Sequence, residues 1–179
     1  MADCVICQII EGKVPSKKLY EDDEVFVFLD FNGATPGHTF VVPKQHYPIF
    51  EQIPDPLVKK LFNISNKVST ALFETMGVQG TNLFITNGIS AGQSVAHFVI
   101  NIIPRKEGDG VNLQWQPRQL SEEEMSTVEL KVKEGAANIG GFDTGSGGTA
   151  TVEKIEQKRE NISSDEDNYL WKSVNRRVG

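Results

Sequence analysis

From Asp55 onward the apolar residues change period, and that change confines the chain to a narrow class of folds. Leu57, Leu61, Ile64, Val68 and Leu72 recur at steps of three and four, which puts them on one face of a long helix. Asp55 can cap it, Pro56 suits its first turn, and Gly77 suits its left-handed stop. The flanking runs are short and rich in β-branched and aromatic residues: Val25-Phe26-Val27-Phe28-Leu29, Thr39-Phe40-Val41-Val42-Pro43, and the segments 81–86 and 95–103. Asn32-Gly33 and Pro36-Gly37 supply turn chemistry between the first two, which makes them an antiparallel pair. Strands, helix, strands in that order predict an α+β fold, one long helix packed on an antiparallel sheet.

Beyond residue 118 the pattern loosens. Ser121 with Glu124 has capping-box spacing, starting a helix with Met125, Val128 and Val132 on one side. A glycine-rich stretch at 140–149 reads as a linker, followed by a charged terminal segment that carries Tyr169, Leu170 and Trp171. The expected organisation is a domain at 1–118 and a C-terminal extension at 119–179. Charge narrows the partners: 18 basic against 24 acidic groups leave −6, a field that argues against nucleic acid. No apolar run approaches the ~18 residues of a membrane span, and no secretion signal opens the chain. A cytoplasmic protein with no membrane partner is the expectation.

Cys4-Val5-Ile6-Cys7 is a CxxC. Two thiolates at this spacing can chelate one metal, can pack as small hydrophobes, or can form a redox pair. A redox CxxC normally opens a helix after a strand, and only three residues precede this one. The chain has three histidines, His38, His46 and His97, so a Cys2His2 zinc site is arithmetically available. The turn at 87–94 carries Asn87, Gly92, Gln93 and Ser94, which read either as neutral donors around an anion or as ordinary loop residues. Asp30, at the end of a strand, reads as a turn former or as a contact for sugar hydroxyls. His97 poses the sharpest question, because Val99 and Asn101, which share its face on a strand, carry no imidazole.

These pieces in this order resemble the histidine triad (HIT) family of nucleotide-binding proteins. The resemblance is carried by Cys4 to Pro15, by Phe28-Leu29-Asp30, by Pro36-Gly37-His38 through Lys44-Gln45-His46, and by residues 91–105. It covers about 1–118. The family signature, histidines alternating with apolar residues, falls here on His97-Phe98-Val99-Ile100-Asn101. The resemblance implies that a middle histidine attacks the α-phosphorus of a nucleotide. Valine has no lone pair, so Val99 cannot do this. Asn101, at the third position, cannot shuttle a proton near neutral pH.

The resemblance further implies, from the zinc-bearing branch of the family, a structural zinc on Cys4, Cys7, His46 and His97. It implies Asp30 at ribose hydroxyls, with Ile6, Phe28 and Phe31 around a purine base. Asn87, Gln93 and Ser94 would face the phosphates, Gly92 would allow close approach, and Asn101 would bond to His38. The expected protein is a homodimer that binds a purine nucleotide without hydrolysing it. Two other readings stay open: a nucleotide hydrolase or transferase working by a non-standard route, and an interaction protein with a relic pocket.

Overall fold

The computed structural model describes residues 4–136. The predicted linker at 140–149 and the terminal segment lie outside the described residues. The chain divides between Trp115 and Gln116 into two units, each described by itself.

In the first unit, helix α1 (Val5–Ile10) precedes strands β1 (Lys17–Glu21), β2 (Val25–Leu29) and β3 (Thr39–Pro43). Helix α2 (Asp55–Met76), β4 (Gly80–Phe84) and β5 (Ile100–Arg105) complete it. The strands form one sheet in the order β1-β2-β3-β5-β4, every neighbouring pair antiparallel. This is the expected α+β architecture.

Strand β2 shows how the sheet becomes buried on both sides. Its side chains alternate between faces, and its first four residues are all buried. Val25 and Val27 join Val41, Ile100, Ile102 and the α2 residues Leu57, Leu61 and Leu72 in one core. Phe26 and Phe28 join Val42, Ile6 and Cys4 in a second. Helix α2 therefore covers one face and α1 the other. Truncating Leu61, which is fully buried, to alanine should cost about 2–5 kcal/mol; denaturant unfolding of the variant checks this.

Three local differences from the sequence expectation have physical causes. Pro54, not Asp55, is the N-cap of α2, without a side-chain bond to the helix, while Gly77 ends it at φ +56° as expected. The strand expected at 81–86 is β4, which ends at Phe84. That expected at 95–103 starts only at Ile100 and runs on to Arg105. Before it, His97 donates its backbone N–H to the Val95 carbonyl (2.8 Å) and Phe98 donates to the Tyr47 carbonyl (2.7 Å). His97 therefore sits in a bend that precedes the ladder.

In the second unit, α3 (Glu122–Gly135) starts at Ser121 with the predicted reciprocal capping box: Glu124 N–H donates to Ser121 Oγ, and Ser121 N–H donates to the Glu124 carboxylate. Met125, Val128 and Val132 are exposed.

Candidate functional site

Helix α1 is short, and its placement matters more than its length. Cys4 is its N-cap residue and Cys7 lies in its first turn, so the CxxC wraps a helix start and turns both sulfurs the same way. His46 comes after β3, and the bend before β5 delivers His97. The four ligand atoms lie within 4.8 Å of one another. Cys4 Sγ stands 3.5 Å from His97 Nδ1, Cys7 Sγ 3.6 Å from the same atom, and Cys7 Sγ 3.3 Å from His46 Nδ1.

A tetrahedral ion with metal–sulfur bonds of about 2.3 Å and metal–nitrogen bonds of about 2.0 Å sets sulfur–nitrogen edges of about 3.5 Å. The donor set fits zinc. His97 is 1 % exposed, and its Nε2–H donates to the Pro43 carbonyl at 2.9 Å. That bond holds the proton on Nε2 and turns the Nδ1 lone pair toward the sulfurs, as a metal-ligating histidine requires. Burial lowers the pKa of His97; the bond to Pro43 opposes this, and the neighbouring His46 adds a smaller push in the same direction as burial. Without a cation, burial and then the neighbouring Cys4 push the Cys7 thiol up to about 11. A bound dication reverses that balance, because a coordinating thiol is deprotonated outright.

Beside the cluster, on the α1 face of the sheet, lies a cavity of about 360 Å³. Ile6, Phe28, Asp30, Phe31, Gln93, Ser94 and Asn101 line it, as does Val99. Asp30 is a turn former, and it also lines the cavity. Its Oδ1 accepts the Asn32 N–H at 2.9 Å, fixing the turn after β2, while the residue itself faces the cavity.

His38 and Asn101 meet as expected, with His38 Nε2 at 3.2 Å from Asn101 Oδ1. The backbone N–H of Ala34 donates to His38 Nδ1 at 3.1 Å. That nitrogen therefore has no proton, and the ring is neutral with its hydrogen on Nε2. The 3.7 Å approach of Asp30 to Nδ1 is then no ion pair. Gly33 makes this packing possible, because a Cβ there would come within 2.5 Å of the His38 Cβ. Asn101 spends its other end on Phe84, donating Nδ2–H to its carbonyl at 3.0 Å.

Asn87 and Gly92 do not line the cavity. Asn87 Oδ1 accepts the Phe50 N–H at 2.9 Å, and its Nδ2 donates to both oxygens of Glu51 at 2.8 and 3.0 Å. Its amide ties the loop to the segment before α2 and is spent there. Gln93 reaches the cavity, but its amide braces the loop: Oε1 accepts from Gly88 N–H, and Nε2 donates to the carbonyls of Pro48 and Val95. Ser16, Asn32, Phe40 and Thr86 line the cavity and were missed by sequence reasoning. Ser16 comes directly after Pro15, the end of the first matching stretch, and that adjacency was the available signal.

The chain matches the HIT domain over residues 11–108. An uncharacterized HIT-like protein of Methanocaldococcus jannaschii is 44% identical over 109 residues, covering 60% of this chain and 82% of that protein. Adenylylsulfatase HINT3 of Arabidopsis thaliana is 43% identical over 107 residues, covering 60% of this chain but only 54% of that protein. Adenosine 5'-monophosphoramidase HNT1 of Candida albicans is 29% identical, covering 77% of this chain and 94% of its own. Among solved structures, a HIT family protein from Bacillus subtilis superposes with a TM-score of 0.69 at 36% identity, covering 74% of this chain and 96% of that one. A zinc-bound histidine triad family protein from Mycobacterium smegmatis gives 0.59 at 28% identity, covering 76% and 97%. Sequence match, sheet order and superposition agree: this chain belongs to the HIT domain family.

Proposed function

We propose that this protein is a cytoplasmic, zinc-stabilised, homodimeric HIT-domain protein that binds a purine nucleotide and does not hydrolyse it. The observation that carries the reading is the cavity itself. Apolar Ile6, Phe28 and Phe31 and the Asp30 carboxylate surround a space of nucleotide scale, while the wall position of the nucleophile is Val99. Cys4, Cys7, His46 and His97 would hold zinc. The ion supplies a cross-link between α1, the segment after β3 and the bend before β5, and four protein ligands leave no position for a reactive water.

Two relatives bear hydrolase names, which favours a second reading, catalysis by another route. The geometry offers it little. His38, the histidine nearest the cavity outside the metal cluster, has its Nδ1 accepting from Ala34 and its Nε2 directed at Asn101. A base needs a lone pair aimed at a substrate or a water.

Binding is tested by thermal shift. Adenosine or AMP at millimolar concentration should raise the melting temperature of the zinc-loaded protein by mass action. Asp30→Ala should shrink the adenosine shift by loss of the hydroxyl contacts. If neither ligand moves the curve, the binding reading fails.

Homodimerisation rests on a separate observation. Phe62, Phe73 and Met76 of α2, with Leu83 and Phe84 of the edge strand β4, are between 37% and 45% exposed. Large side chains on an open strand edge mark an association surface. Light scattering should give twice the monomer mass, and Leu83→Asp should convert the protein to monomer. A monomeric parent would remove the dimer from the account.

A further inference from the structure

The polar groups of the cavity do not suit a phosphate. No Lys or Arg is among the described residues that line it, and its one carboxylate is Asp30. His97 is turned to the cysteines and to Pro43. The amides of Gln93 and Asn101 have both ends engaged within the protein. The side-chain donors that remain in the lining are uncharged, Ser16, Asn32, Thr86 and Ser94, beside the apolar surface of Val95 and Val99. A phosphate dianion entering such a site gives up its hydration with no cationic side chain to meet it and shares the cavity with a negative charge. A purine with its ribose meets the opposite situation, because aromatic and aliphatic walls match the base and a carboxylate accepts from vicinal hydroxyls.

We infer that the cavity selects the uncharged nucleoside over its 5'-phosphate. This rests on the reading that the cavity binds a nucleotide, and it narrows the ligand class to purine nucleosides and to nucleoside derivatives whose 5' substituent carries no charge.

Calorimetric titration of the full-length, zinc-loaded protein with adenosine and, separately, with AMP tests it. Adenosine should bind at least about tenfold more tightly, since like-charge juxtaposition and uncompensated desolvation both act on AMP alone. Val99→Arg, which puts a guanidinium on the same wall, should move the ratio toward AMP by about tenfold or more. Equal or tighter binding of AMP to the parent overturns the inference and leaves the binding reading standing. A folded Val99→Arg variant with an unchanged ratio puts the 5' group outside the cavity and also overturns it. Binding of neither ligand to the parent overturns both.

Discussion

Stripping zinc from the loaded protein with a strong chelator should lower its melting temperature by on the order of 10 °C or more. A structural zinc contributes its binding free energy to folding, and in a chain of this size each kcal/mol moves the midpoint by about 2–4 °C. The four residues that would hold the ion come from three separated segments: the start of α1, the stretch after β3, and the bend before β5. Losing the ion removes the tie they share and leaves two thiols packed against Ile6 and Phe28. Cys7→Ser should reproduce the loss without chelator.

Acid should act in the same direction. Burial lowers the pKa of His97 from its ordinary value of 6.5. The stability that comes from its neutral form is therefore present above 6.5 and is lost as pH falls toward the lowered folded value. Protons also compete directly for the metal ligands. Elemental analysis giving well under one zinc per chain, or a chelator that leaves the melting curve in place, would remove the metal from the account.

The second large effect is a gain. Val99→His with Asn101→His should create a protein that forms a nucleotidyl-histidine, which the parent does not form. The imidazole at position 99 attacks the phosphorus of adenosine phosphoramidate and breaks its P–NH2 bond, while the amine leaves as ammonia with a proton from the imidazolium at position 101. Both positions line the cavity with His97, so the new imidazoles would face the same space. An imidazole at 99 has the lone pair that valine lacks. His38 already stands 3.2 Å from the side chain of residue 101 and can hold a histidine there by the bond it now makes to asparagine. The adduct should appear in intact mass spectra after brief incubation with adenosine phosphoramidate. The two imidazoles also supply the N–H donors for a phosphate that Val99 and the engaged Asn101 amide do not offer in the parent. If the folded double variant forms no adduct, the cavity does not present an α-phosphorus to position 99 and this prediction fails.

How much of this was legible in the sequence depends on the range of the signal. Helix α2 was legible because its apolar residues keep their period from Leu57 to Leu72, and β2 and β3 because β-branched and aromatic runs end in turn residues. Helix α1 was not, since six residues are too few to show a period. Strand β1 was hidden for another reason: all five of its residues are exposed, so no alternation marks it, and its lysines and glutamate suit an unpaired sheet edge.

In the candidate site, spacing alone offered Cys4 and Cys7 as a pair, and only the resemblance joined them to His46 and His97, 39 and 90 residues away from Cys7. The direction of an amide is not written in sequence at all. Asn87 and Gln93 are donors of the expected type in the expected loop, yet Glu51, Pro48 and Val95 claim them. Those partners come from how the loop packs, which no local pattern encodes.

The most direct measurement is made on the unaltered protein. Zinc-loaded protein is incubated with adenosine phosphoramidate and with a dinucleoside polyphosphate, and the mixture is followed by product chromatography and intact mass. With Val99 at the nucleophile position and His38 tied at both nitrogens, no release of AMP above the protein-free rate and no covalent nucleotide should be seen, while adenosine still raises the melting temperature. Turnover of either substrate, or a nucleotide trapped on any residue of the parent chain, would contradict the account.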